Sequence, residues 1–117
     1  MSRRADFDRV FQTGRHNSAR LLAVRSAPNQ GTLTRFGYAI PKRVGAAVIR
    51  NLVRGRLRES LRLLPLREGF DVVITVRPEA ARASFHALRA ELMTLLRRAR
   101  LLDYPLSPQT RPQASPD

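Results

Sequence analysis

The sequence predicts a small α/β (α+β) two-layer sandwich, one mixed sheet backed by helices in the order helix, strands, helix, strand, helix. Three observations carry that expectation. A chain of 117 residues with 43% hydrophobic content suffices for one modest core. Segments of helical period alternate with short runs of strand type, and the run FDVVITV is too apolar for a solvated strand, so it belongs at the centre of a sheet. In order, residues 3–13 place Phe7, Val10 and Phe11 at i, i+3, i+4, a short amphipathic helix ended by Gly14. Arg15 to Pro28 reads as extended, with Leu22 and Val24 alternating with Ala23 and Arg25. Pro28-Asn29-Gln30-Gly31 is a turn signal, and a strand follows at about 34–40 until Pro41. A second helix is expected from Ala46 to Leu64, with Pro65 after it. Gly69 opens the FDVVITV strand. Pro78 then starts a long helix, with Ala81, Phe85, Leu88, Leu92, Leu95 and Ala99 at helical spacing. Residues 1–102 form one domain. Residues 103–117, with four prolines and no periodicity, are expected to be a disordered tail.

A net charge of +13 and a pI near 11.9 call for an acidic partner, nucleic acid first. No apolar run approaches the ~20 residues of a membrane span, and none has the signal-peptide pattern. Without cysteine, disulfides and thiolate metal sites are excluded. The expectation is a cytoplasmic chain, without membrane contact and monomeric when free.

The most informative segment is Lys42 to Arg62, KRVGAAVIRNLVRGRLRESLR, with seven basic residues and one acid, a local balance of +6. Wound as a helix, Arg50, Arg54, Arg58 and Arg62 fall on one arc of about 120° with Asn51 inside it. Ile49, Val53, Leu57 and Leu64 fall on the neighbouring arc and face a core. Like charges at i,i+4 cost about 0.2–0.5 kcal/mol per pair, so an external polyanion should relieve them. Glu59 lies on another arc, which leaves the stripe of one sign.

Reagents for catalysis are missing. His16 and His86 have no evident partner, and the nine carboxylates are scattered without metal-ligand spacing. Gly37, Gly45 and Gly55 are isolated, so no phosphate loop is present.

The stretch Arg50-Asn51-Leu52-Val53-Arg54-Gly55-Arg56-Leu57-Arg58-Glu59 resembles the RNR motif of the bacterial ribonuclease P protein component. Lys42-Arg43-Val44-Gly45 stands before it at the family's spacing. Asp6-Phe7-Asp8-Arg9-Val10-Phe11-Gln12-Thr13-Gly14 is similar to the family's opening helix. Asp71-Val72-Val73-Ile74 with Arg77 is similar to its last strand, and the helix ending Leu95-Leu96-Arg97 to its closing helix. The resemblance implies a sandwich with a left-handed βαβ crossover, assembled on a catalytic RNA that cleaves the 5′ leader from precursor tRNA with Mg²⁺ held by the RNA. No cofactor is then bound by the protein alone. It implies RNA contacts at Arg50, Asn51, Arg54 and Arg58, with Lys42 and Arg43 in the loop before them and Arg62 just past the motif. It also implies a leader cleft between the sheet and the first helix, with Phe7 and Phe11 as its aromatics and Arg3 beside them. From spacing alone, Phe7 and Phe11 read as core. Two positions depart from the family pattern: Gly55 replaces the second member of a basic pair, and Arg25 stands where the family often has a cleft aromatic, trading stacking for a phosphate contact.

Two other classes remain open on the residues. A stand-alone RNA-binding or ribosomal-type protein would account for the charge and fold equally well. A DNA-binding regulator fits less well, since one helix in a sandwich is not a helix-turn-helix and no dimerisation heptads are visible.

Overall fold

In the computed structural model, residues 4–103 are described. The expected contributions of Arg3 and of the tail beyond 103 lie outside them. The elements are α1 (Arg4–Thr13), β1 (Arg15–Ser18), β2 (Leu22–Pro28), β3 (Arg35–Ala39), α2 (Ala47–Arg62), β4 (Phe70–Val76) and α3 (Phe85–Arg98). Short 3₁₀ turns, Lys42–Val44 and Pro78–Arg82, follow β3 and β4.

The four strands form one mixed sheet in the order β1-β2-β4-β3. Strand β4 is central, antiparallel to β2 and parallel to β3, and α2 makes the crossover between the parallel pair. Its apolar sequence fits that place, because both faces of β4 are covered. Val72, Ile74 and Val76 point into the larger core with Leu22 and Val24 of β2, Val53, Leu57 and Leu61 of α2, and Leu88, Leu92, Leu95 and Leu96 of α3. Each fully buried leucine contributes about 1.5–3 kcal/mol of hydrophobic stabilisation. Val73 points the other way and packs with Ala27 of β2 and Val10 of α1. Thus α2 and α3 cover one face, and α1 sits across part of the other.

Three boundaries differ from the sequence expectation. The stretch from Arg15 to Pro28 is a hairpin of two strands, because residues 19–21 turn sharply, with the Ala19 amide donating to the Leu22 carbonyl at 2.9 Å. Helix α2 stops at Arg62, and Leu64 is only half-buried beyond it. The helix expected from Pro78 is two pieces. Ala83 and Ser84 are extended, and the Ser84 side chain accepts a hydrogen bond from the Ala87 amide at 3.0 Å, capping a new helix. Phe85 is consequently on the surface, outside the apolar stripe. Arg100 lies past the end of α3 with a left-handed backbone.

The chain remains ordered against the core to the end of the described residues. Leu102 bridges to Leu66, and the Asp103 amide donates to the Pro65 carbonyl at 2.6 Å.

Candidate nucleic-acid interface

Helix α2 is anchored by Val53, Leu57, Ser60 and Leu61, all buried. That leaves its arginines on a flank beside the edge strand β3. Arg50 is half-buried and donates from Nε to the Gly45 carbonyl at 3.2 Å, which ties the start of the helix to the loop before it. Arg54 is half-buried too, and its Nη1 donates to Asn51 Oδ1 at 2.7 Å. Asn51, a poor helix former, thereby orients a guanidinium instead of standing free. Arg58 is exposed. Burial pushes the Tyr38 phenol of β3 upward, and the nearby guanidiniums of Arg58 and Arg54 oppose that rise. Both arginines therefore lie over the β3 edge.

Arg62 does not continue the free stripe. It pairs with Glu59 at 2.8 Å across an i,i+3 step, since residues three apart are neighbours on a helix surface, about 60° apart around its axis. Lys42 and Arg43 are exposed in the 3₁₀ turn before α2. A side chain built on Gly55 would meet nothing within 4 Å. The solvent side of the helix around it carries Val48, 73% exposed, and Leu52, 50% exposed.

The opposite face of the sheet forms a second surface with α1. Strand register places His16, Arg25, Val73 and Gly37 in one row across the sheet, and Ser18, Ala23, Thr75 and Ala39 in the next. Phe7 lies directly over Gly37, where any Cβ would collide with its ring, so glycine is required for α1 to approach this closely. Phe7 is thus half-buried and packed against the smaller core. Phe11, one turn on, is 38% exposed at the rim. The Arg25 guanidinium sits 4.9 Å from its ring centroid and donates to its carbonyl at 3.2 Å. The adjoining row of Ser, Ala and Thr leaves a shallow floor beside that pair. The structure brings Phe11 and Arg25 together, and it packs Phe7 over Gly37 of β3 against the smaller core.

Sequence reasoning missed what holds α1 in place. Asp71 is fully buried, and its carboxylate accepts from Arg9 at 2.6 Å, from Asn29 at 3.0 Å and from Arg35 at 2.8 and 2.7 Å. Burial would push this carboxyl up; hydrogen bonds from Arg35, Asn29 and Arg9, with the Arg35 charge, outweigh it and hold it down to about 2. The hub ties α1, the β2–β3 turn and β3 to the central strand. Among the described residues, no three His, Asp or Glu side chains gather as metal ligands, and no helix is long and apolar enough to cross a membrane.

A helix with an arginine flank on one face of a β1-β2-β4-β3 sheet, and a groove under a first helix on the other, is a specific combination. The family model for ribonuclease P matches residues 1–100. The chain belongs to the ribonuclease P protein family. It is 37% identical over 100 residues to the ribonuclease P protein component of Caldanaerobacter subterraneus subsp. tengcongensis, covering 84% of this chain and 86% of that protein. It is 41% identical over 115 residues to that of Chloroflexus aggregans, covering 96% and 83%. Among solved structures, the RNase P protein of Staphylococcus aureus superposes with a TM-score of 0.81 at 22% identity, covering 88% of this chain and 96% of that one. The RNase P protein of Thermotoga maritima does so at 0.76 and 27% identity, covering 84% and 97%. Within this ribonuclease P fold, Gly55 leaves open space in the basic flank, and Arg56, half-buried, projects to another side of α2.

Proposed function

We propose that this chain is the protein subunit of a ribonuclease P ribozyme, binding the catalytic RNA through α2 and the 5′ leader of precursor tRNA in the groove between α1 and the sheet. The observation that carries this reading is the α2 flank. Arg50, Arg54 and Arg58 project from a helix whose other side is buried, and Glu59, the one carboxylate of α2, is engaged by Arg62. Guanidiniums in that arrangement suit phosphodiesters, which they grip bidentately. Lys42 and Arg43 extend the surface toward the loop before the helix. On the opposite face, the exposed rim of Phe11 with Arg25 above it offers one stacking surface and one charge to a single strand.

Bond cleavage belongs to the RNA, with Mg²⁺ as its metal. The protein neutralises phosphate charge, lowers the Mg²⁺ concentration the RNA needs, and adds affinity for the leader. Removal of the tRNA leader follows in the cytoplasm.

The deciding assay is precursor tRNA cleavage by the cognate catalytic RNA at low Mg²⁺, with and without the protein. Stimulation is expected, and its absence overturns the reading. Arg54→Ala should weaken binding to the catalytic RNA. Phe11→Ala should weaken precursor binding by about 1–3 kcal/mol, the worth of one base stack, and leave mature tRNA binding nearly unchanged. Equal losses for both tRNAs would contradict the division between the two faces.

A further inference from the structure

We propose that Arg20 and Arg82 join Arg43 of the α2 surface in a phosphodiester clamp for the catalytic RNA, a continuation of that surface away from the leader groove; this rests on the functional reading above. The three side chains line one open cleft of 460 Å³ with Val44, Pro78, Glu79 and Ala81. They come from three distant segments: the β1–β2 connection, the 3₁₀ turn after β3 and the 3₁₀ turn after β4. The cleft therefore lies beyond the carboxyl ends of the parallel strands β3 and β4, the position where sheets with parallel strands commonly place ligands.

Each arginine stands on fixed backbone. Around Arg20, the Leu21 and Leu22 amides donate to Glu91 Oε2 at 2.7 and 2.8 Å, and the Leu21 carbonyl accepts from the Arg77 amide at 2.9 Å. Arg43 lies inside a turn closed by Val44 to Pro41 and Gly45 to Lys42, both at 3.0 Å. Arg82 ends a turn whose Ala83 amide donates to Ala80 at 3.2 Å. Within the described residues, none of the three arginines has a carboxylate within 4.0 Å. Glu79 is the one acid lining the cleft, so the lining carries +3 and −1, a net +2.

Three like charges held on rigid turns around an open space repel one another, and an anion relieves that repulsion. The identity of the anion follows from position. Val44 and Ala81 belong to the core on the α2–α3 side of the sheet, away from the groove under α1. Arg43 sits in the turn that feeds α2. The RNA that α2 holds is therefore the one whose backbone reaches this cleft, and the leader is on the other side.

The test is the salt dependence of catalytic-RNA binding by the full chain between 0.1 and 1 M monovalent salt. One phosphate contact contributes about 0.7–0.9 to the slope of log K against log salt. The Arg20→Ala/Arg82→Ala double variant should lose about that much slope, and bind about five- to eightfold more weakly at 0.1 M than the parent when the two are matched at 1 M. The Arg20→Lys/Arg82→Lys variant should keep the slope. Glu79→Gln should tighten binding, an effect that a purely structural Glu79 would not produce. Arg89→Ala/Arg98→Ala, which removes two exposed α3 arginines outside the cleft, should leave the slope unchanged. An unchanged slope in Arg20→Ala/Arg82→Ala, while Arg54→Ala lowers it, overturns the clamp and spares the functional reading. An equal loss in the α3 pair, or a loss confined to precursor over mature tRNA, also overturns the clamp. A parent chain that binds no catalytic RNA overturns the functional reading itself.

Discussion

Asp71 is the residue on which the second surface depends. In the sequence it is one polar letter at the start of an apolar strand, and nothing there names its partners. Arg9, Asn29 and Arg35 are contributed by a helix, a turn and an edge strand, and only the fold brings them to one carboxylate. The sequence could show the FDVVITV strand because period and composition are local properties; a four-residue hub across 62 positions is not local. The pKa of about 2 against an ordinary 3.8 makes this hub a stability statement. Because the folded value lies below the unfolded one, the stabilisation is fully present above pH 4 and is lost as pH falls from about 4 through about 2. A shift of this size corresponds to about 2 kcal/mol, at 1.36 kcal/mol per unit. Chemical denaturation as a function of pH should show that loss in the parent. Asp71→Asn should be less stable by about 2 kcal/mol at neutral pH and should show a correspondingly flatter profile below pH 4. An unaltered acid profile in the variant would mean that other carboxylates govern acid unfolding.

At the scale of elements, α2 was the most legible part of the chain, since its apolar and basic arcs are separate and repeat over four turns. Val53 and Leu57 are buried and Arg54 and Arg58 stand on the flank, as the spacing predicts. Arg62 escaped the pattern because an i,i+3 partner depends on rotamers, which a wheel does not contain. The last helix was less legible. Its apolar period runs through Ala81 and Phe85 across a break made by two extended residues, and the Ser84 cap was the local signal that a new helix starts there. Of the groove, Arg25 against Phe11 needed the β1–β2 hairpin and α1 to be placed together before it could be seen. Gly55 yields a prediction that belongs to the helix as a whole. With nothing within 4 Å of an added Cβ, Gly55→Ala costs no packing and removes backbone freedom from the unfolded chain. It should stabilise the protein by about 1 kcal/mol, read from the denaturation midpoint. Gly55→Arg should keep most of that gain and, if its guanidinium reaches a phosphate, add about 0.7–0.9 to the salt slope of catalytic-RNA binding. A destabilised Gly55→Ala would show that the helix needs the glycine for a bend, against the regular α2 seen here.

For the whole molecule, the arrangement of charge matters more than its total. Among the described residues the ion pairs engage Arg4, Arg9, Arg35 and Arg62, and three of these four guanidiniums bind acids on or near α1 and β3. Glu91 is occupied by the backbone amides of Leu21 and Leu22. Asp6 and Asp71 are thus engaged in fastening α1 and Asp8 and Glu59 in local pairs, while among the described residues Arg50, Arg54, Arg58, Arg20, Arg43 and Arg82 have no ion pair and Glu79 is the one acid lining the cleft. A +13 chain organised in this way carries concentrated self-repulsion on the α2 side, which destabilises the compact state until an anion arrives. Binding to the native state alone stabilises it by mass action, about 1.4 kcal/mol for one site at ten times its dissociation constant. For a domain of about 100 residues this is a rise of roughly 6–11 °C in Tm, at about 4–8 °C per kcal/mol. Thermal melts in sulfate and in chloride at matched ionic strength separate site binding from screening, because screening depends on ionic strength and a bidentate guanidinium site prefers the divalent oxyanion. Sulfate should therefore give the higher Tm, with a gain that saturates with concentration and shrinks in Arg20→Ala/Arg82→Ala. Superimposed sulfate and chloride curves would mean that the arginines are merely screened, with no built anion site on the free protein.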